Sequence, residues 1–404
     1  MFKVIRYIKK NGIRRTIQVI NEYKLDKAVN KFVALITKNI PLKDYIVIES
    51  HDDFDCNGGA FYDYLIEHGY NKKYKIIWML KHKKPQNLPE NVYAFKLHQP
   101  SFRKSYYASV AKYLTADNEV TIKARDEQMS YYFDHGSVCL KNCKPFFDMS
   151  GKKIDYFFSP SENYDKIYCD QMSIEYPNDK MLYLGYPRHD VFFKNTPSEL
   201  IKITKKKYNK IILWMPTFRR GGGFNRNDSN IELPLGIPLI DNKEMLIHLQ
   251  NKLEELNEFL IIKIHPKQDM QTVVQLKEVH LPNIEILDEA KVKEKKIDMF
   301  HLLKNVDAML SDYSSITYSF ILLNKPIGYV FSDVNEYKLG FAMENYEDYV
   351  VGEKIYNLEE MECFLEKVGK NVDEYGEKRR KLVSYLYKYQ DGDSCKRIVE
   401  FMGI

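Results

Sequence analysis

Short apolar runs alternate along the chain with longer stretches in which apolar residues recur every three or four positions. This is the pattern of parallel strands and covering helices in an α/β layer structure. Before residue 195, the runs at 45–48, 74–79, 92–97, 112–115, 129–133 and 156–158 read as strands, with helices at 59–68 and 102–111. From 195 to 210 the composition turns to Lys, Asn, Thr and Pro, and a second alternation then begins, with strands expected at 211–215, 259–264, 284–287, 308–310 and 327–330. A cut there predicts two domains, 1–195 and 196–404; a chain of 404 residues also exceeds the roughly 250 to 300 at which one core divides. The helix expected at 394–402 could pack on either domain. Gly221-Gly222-Gly223-Phe224, followed by Asn225, Asn227, Asp228 and Ser229, reads as a mobile loop beside a strand end.

Composition narrows the function classes. The 61 basic against 56 acidic residues leave a formal charge of only +5, which is not the footprint of a nucleic-acid binder. The six cysteines include no CxxC pair, only one isolated CxxxC at Cys139 and Cys143, so reduced thiols in a cytoplasmic protein are expected. No apolar run approaches the roughly 18 residues of a membrane span. Residues 1–20 leave a surface contact open: Phe2, Ile5, Ile8, Ile13, Ile17 and Ile20 recur near helical spacing, with Lys3, Arg6, Lys9, Lys10, Arg14 and Arg15 between them. Such a segment binds anionic lipid, or else forms a solvated helix on its own domain, weakened at Gly12.

The chemistry concentrates at strand ends. Ser311-Asp312-Tyr313-Ser314-Ser315-Ile316-Thr317 follows one apolar run and opens a helical one, which makes a phosphate-compatible turn of backbone N–H groups and hydroxyls. Gly185-Tyr186-Pro187-Arg188-His189-Asp190, Met215-Pro216-Thr217-Phe218-Arg219 and His265-Pro266-Lys267 also follow predicted strands. Two α/β domains place such ends around one cleft, and the set points to an enzyme acting on a phosphorylated, nucleotide-linked substrate. Asp52, Asp53 and Asp55 read as a solvated loop, because nothing in the sequence completes an oxygen-rich metal shell around them.

The ordered motifs GYPRHD (185–190), MPTFR (215–219), IHPK (264–267) and SDYSSITYSF (311–320) resemble the CDP-glycerol glycerophosphotransferase family of teichoic-acid primases and polymerases. Asp393-Ser394-Cys395-Lys396-Arg397-Ile398-Val399 looks like its closing helix. Asp134-His135-Gly136 with Lys141 aligns with its Trp-His-Gly and following Lys, without the Trp. The resemblance implies a GT-B-like pair of Rossmann-like domains facing across a cleft, an acceptor-side domain at 1–195 and a CDP-polyol domain at 196–404. It implies transfer of a polyol phosphate from CDP-glycerol or CDP-ribitol to a hydroxyl on a lipid-linked or polymeric glycan, with release of CMP, at the inner face of the bacterial membrane.

On that basis His135 is the expected base, with Asp134 beside it although neighbours on an extended strand point apart. His265 is expected to bind or protonate the leaving phosphate, with Lys267 as a nearby cation. Arg188 and Arg219 are expected to bind phosphate bidentately, Asp190 holding Arg188 or forming with it an ion pair between the domains. Ser311, Ser314, Ser315 and Thr317 are expected to hold the diphosphate, and Asp312 to bond nearby backbone or a substrate hydroxyl. No resident metal is expected; magnesium accompanying the diphosphate stays open. A GT-B glycosyltransferase, releasing a nucleoside diphosphate, and a non-catalytic assembly scaffold are the alternatives.

Overall fold

The computed structural model describes residues 2–136, 138–219, 228–229, 231–268, 270–274, 276 and 279–404, without the side chains of 2–7, 9–11, 271 and 272. The loop expected at 221–229 therefore lies outside the described residues except for Asp228 and Ser229, as do Arg220 and the side chains of Phe2, Lys3, Ile5, Arg6, Lys9 and Lys10. The chain forms two compact units. One comprises Met1–Ser137, Phe147–Phe193 and Lys388–Ile404; the other comprises Val138–Phe146 and Lys194–Tyr387.

This division corrects a single cut at 195 in two places. The helix Ser394–Met402, assigned to 196–404, belongs to the first unit: the Asp190 carboxylate accepts from Ser394 N and Cys395 N at 3.0 and 2.9 Å, and Ile398, Val399 and Met402 are buried. Val138–Phe146 belongs to the second, where Lys141 forms an antiparallel bridge with Phe341 and Ala342 N donates to Leu140 O at 2.7 Å.

In the first unit, β1 (Lys43–Glu49), β2 (Lys75–Leu80), β3 (Val92–Lys96), β4 (Ala111–Ala116), β5 (Met129–Tyr132), β6 (Tyr156–Phe158) and β7 (Met181–Leu182) form one parallel sheet of order β3-β2-β1-β4-β5-β6-β7. Residues 46–48 and 76–80 are buried without alternation, as expected of strands covered on both faces. In the second unit, β8 (Lys210–Trp214), β9 (Glu258–Lys263), β10 (Ile284–Leu287), β11 (Ala308–Ser311), β12 (Ile327–Val330) and β13 (Glu353–Ile355) form a parallel sheet of order β10-β9-β8-β11-β12-β13. Each sheet reverses its winding at its first strand, between β1 and β4 and between β8 and β11. Ligands of doubly wound sheets bind beyond the carboxyl ends of the strands at such switch points.

The helix expected within residues 1–20 runs from Phe2 to Thr37 and is broken at Gly12, whose φ of 78° and ψ of 158° are not helical. It docks through a largely polar face. Thr16, Asp26, Val33 and Thr37 are buried; Asp26 pairs with the buried Lys104 at 2.5 Å, and Thr37 donates to Ser109 at 2.9 Å. Six of its apolar residues point the other way: Ile13, Ile17, Leu25, Phe32, Leu35 and Ile36 are all more than half exposed.

Glu258 opens β9 fully buried, and neither carboxyl oxygen has a hydrogen-bond partner among the described residues. Burial pushes its pKa from 4.5 up to about 8, so the folded protein holds a proton that the unfolded chain releases. Stability from this group is complete below the unfolded value and falls as pH rises from there through the folded one. Glu258→Gln should melt close to wild type at pH 5 and above it by about 5 °C or more at pH 8, measured by calorimetry.

Candidate active site

In the first unit the polar residues gather at the β1/β4 switch point. The chain leaves β5 through buried Phe133 and turns at Asp134, whose φ is 58°. Asp tolerates this left-handed conformation because its short side chain bonds locally; here Oδ1 accepts from His135 N at 2.6 Å. The strand has therefore ended before His135, but Asp134 still does not orient the ring, since Oδ1 stands 3.9 Å from Nδ1. The ring is oriented instead by the main-chain carbonyl of Asp117, just past β4, at 2.8 Å from Nδ1. A carbonyl only accepts, so Nδ1 carries the proton and Nε2 the lone pair. Burial, then the neighbouring His51, with Arg188 and Lys81 adding to them, lowers the His135 pKa well below 6.5 against the Asp117 carbonyl. The imidazole is neutral at physiological pH.

The surrounding shell was not legible in the sequence. The Asp117 carboxyl accepts from Ser50 Oγ at 2.9 Å and Gly58 N at 3.0 Å, and burial pushes it up to about 7. A Cβ at residue 58 would stand 2.9 Å from Ser50 Cβ, so glycine permits this approach. Asn57, fully buried, donates from its amide to Asp134 O at 2.6 Å and accepts from Arg188 N at 3.2 Å, tying the turn before His135 to the turn carrying Arg188. Arg188 is buried, and its Nη1 donates to the His135 carbonyl and, at 3.3 Å, to Cys56 Sγ. Its expected partner Asp190 caps the Ser394–Met402 helix instead, which corrects the Arg188–Asp190 pairing. The acidic loop is engaged locally: Asp53 accepts from Lys81 N and His82 N at 2.7 and 2.8 Å, and Asp55 from Cys56 N at 2.6 Å. Among the described residues no group of three His, Cys, Asp or Glu could hold a metal ion.

In the second unit the β8/β11 switch point is spanned by side-chain bonds. Asp312 accepts from Thr217 N at 3.0 Å, Thr217 Oγ1 at 2.5 Å, Tyr313 N at 2.7 Å and Arg219 Nη1 at 2.8 Å. Arg219 also forks onto Asp333, beyond β12, at 2.6 and 2.8 Å, and donates to Thr217 O at 2.6 Å. Its side chain is 1% exposed. Burial opposes the charge, and Asp312 and Asp333 outweigh it, so the guanidinium stays protonated. These contacts correct one expectation, that Arg219 presents its fork to phosphate; Asp312 accepts from nearby backbone N–H groups, as expected of it.

Ser311 and Thr317 are buried as well; Ser311 Oγ donates to Met215 O at 3.3 Å. Ser314 and Ser315 remain half-buried at the turn before the short helix Ile316–Phe320. His265 packs against Phe218, with ring centroids 4.8 Å apart, and its Nδ1 accepts from Lys267 N at 3.0 Å, which places the proton of the neutral ring on Nε2. Lys267 is exposed. The IHPK, MPTFR and SDYSS motifs are thus linked from His265 through Phe218 and Thr217 to Asp312.

Two doubly wound parallel sheets of this order are the architecture of the GT-B-like fold. The profile of the CDP-Glycerol:Poly(glycerophosphate) glycerophosphotransferase family matches residues 33–403, and the chain belongs to that family. It is 26% identical over 251 residues to the teichoic acid glycerol-phosphate primase of Bacillus subtilis, covering 61% of this chain and 57% of that protein. It is 24% identical over 401 residues to the teichoic acid poly(glycerol phosphate) polymerase of Bacillus spizizenii, covering 92% of this chain and 94% of that protein. The fold is also that of the wall teichoic acid polymerase TagF, with a TM-score of 0.71 at 19% identity over 96% of both chains.

Proposed function

We propose that the protein transfers a polyol phosphate from a CDP-polyol to a hydroxyl on a teichoic-acid-like or capsular polymer or its lipid-linked precursor, releasing CMP. Glycerol phosphate is the first choice and ribitol phosphate the near variant. The observation that carries this reading is the His135 imidazole, neutral and with its lone pair on Nε2. The acceptor hydroxyl gives its proton to that nitrogen as its oxygen bonds the polyol-bearing phosphorus. The bond from that phosphorus to the CMP oxygen breaks, and CMP leaves as the anion. His265 donates from Nε2 to phosphate oxygens, Lys267 adds positive charge, and the Ser314 and Ser315 hydroxyls hold the diphosphate. Arg188 acts through the His135 carbonyl. We assign no resident metal; magnesium would enter with the diphosphate.

The deciding experiment incubates the protein with CDP-glycerol, CDP-ribitol and nucleotide sugars and identifies the nucleotide released. CMP supports phosphotransfer; a nucleoside diphosphate overturns it in favour of sugar transfer. Within this reading, replacing Ser314 and Ser315 together by Ala should weaken CDP-glycerol binding about tenfold by calorimetry, two hydrogen bonds being lost. An unchanged dissociation constant would move the diphosphate elsewhere.

A membrane-surface location belongs to the same proposal, and its support is the Phe2–Thr37 helix. Polar contacts dock it, while Ile13, Ile17, Leu25, Phe32, Leu35 and Ile36 face outward with exposed Lys24, Lys27, Lys31 and Lys38 among them. Apolar side chains entering the headgroup boundary and Lys meeting anionic lipid each add to surface binding. The protein should sediment with anionic vesicles and release at high salt. Serine at Leu25, Phe32 and Leu35 should abolish the binding, and equal sedimentation of that variant would remove the helix from the contact.

A further inference from the structure

The His51 imidazole has no part in the reaction as derived above, yet it lies on the base. It follows β1 at the switch point, exposed where its side chain could turn into solvent, and instead stacks on His135 with ring centroids 4.5 Å apart and planes 25° apart. Its backbone is held in place: Lys81 Nζ, at the end of β2, donates to His51 O at 2.9 Å and to Ser50 O at 2.5 Å, and pairs with the buried Glu49 at 2.7 Å.

We infer that His51 is a positioning residue for His135, fixing the plane in which Nε2 meets the acceptor hydroxyl. This rests on the assignment of His135 as the base. A ring bonded only at Nδ1 can rock about that hydrogen bond. The flat neighbour on one face, with the Phe147 ring edge-on at 5.9 Å, removes that freedom. Near-attack geometry depends on such restraint.

The stack also couples the two rings electrostatically, because imidazolium charges at this separation repel and a proton on one ring disfavours a proton on the other. The other charged groups facing His135 are Lys81, just past β2, and Arg188 from the turn after β7, both disfavouring its proton, with Asp134 beside it and Asp117 supplying the carbonyl on Nδ1. His51 is the member of this set that is exposed and can be exchanged without opening the core.

The test uses the full chain with labelled histidine, following the His135 ring nitrogens by NMR across pH, together with CMP release from CDP-glycerol onto a glycerol-phosphate oligomer. Wild type should show a single Nδ1-protonated tautomer titrating well below 6.5. His51→Phe keeps a flat neighbour without the charge: the tautomer should persist, the titration should move upward, and kcat should stay within about threefold. His51→Ala removes both: the Asp117 carbonyl keeps the proton on Nδ1, the titration moves upward as in His51→Phe, and kcat falls about tenfold with KM for CDP-glycerol within about twofold. An unchanged titration of His135 in both variants, or wild-type kcat in His51→Ala, would overturn the inference. Wild-type turnover in His135→Ala would instead defeat the base assignment, and the NMR comparison keeps the two failures apart.

Discussion

Turnover in His135→Ala should fall at least about a hundredfold with melting temperature close to wild type, because a positioned base contributes that much or more and this side chain is not part of the core. The surviving interactions explain why the fold should hold: Asn57 still ties Asp134 to Arg188, and the Asp117 carboxyl keeps its bonds to Ser50 and Gly58. The pH profile adds a second check. Since burial and His51 lower the proton affinity of His135, the base form persists below 6.5, and kcat should stay level through that pH and drop only well beneath it. A break near 6.5 would mean that a differently placed histidine limits the rate. His265→Ala should reduce turnover to a similar extent through lost charge stabilisation, but without moving the acid limb, as its ring is a donor rather than the base. Near-normal CMP release by purified His135→Ala protein would sink the assignment.

The strands were legible because buried parallel strands are nearly continuous apolar runs, and eleven such runs sit where strands form. The two missed strands are edges: β7 has only the residues Met181 and Leu182, and β13 carries Glu353 and Lys354 before its one buried residue, Ile355. Local motifs likewise single out His135, His265 and the Ser314-Ser315 turn as candidates. The partners that give those residues their properties lie far off in sequence. Asn57 meets Asp134 across 77 positions, and Arg188 meets the His135 carbonyl across 53. No window of periodicity or spacing spans such distances. The Ser394–Met402 helix shows the same limit, since its amphipathic face would suit either unit and contacts far off in sequence, such as the bond to Asp190 204 positions away and that from Arg397 to the Leu184 carbonyl, decide between them.

Arg219 is where a motif most misleads, and its replacement should be the largest stability lesion in the second unit. MPTFR resembles a phosphate-binding turn, but the guanidinium lies beneath Tyr313, 5.1 Å from the ring, with Asp312 and Asp333 on its fork and side-chain exposures of 1%, 0% and 3% for the three charged partners. Arg219→Met leaves two buried carboxylates facing no cation. Breaking a buried pair in this way costs about 3–5 kcal/mol, which for a unit of this size lowers the melting temperature by about 6 to 20 °C. Arg219→Lys should recover little, because an ammonium cannot bond both carboxylates and the Thr217 carbonyl in the geometry of the planar fork. Adding Asp312→Asn and Asp333→Asn to Arg219→Met should restore much of the loss, as removing a whole buried network costs less than orphaning part of it. If Arg219 bound substrate phosphate, Arg219→Met would instead raise KM for CDP-glycerol at an unchanged melting temperature. Calorimetry and substrate titration on the same three proteins separate the two outcomes.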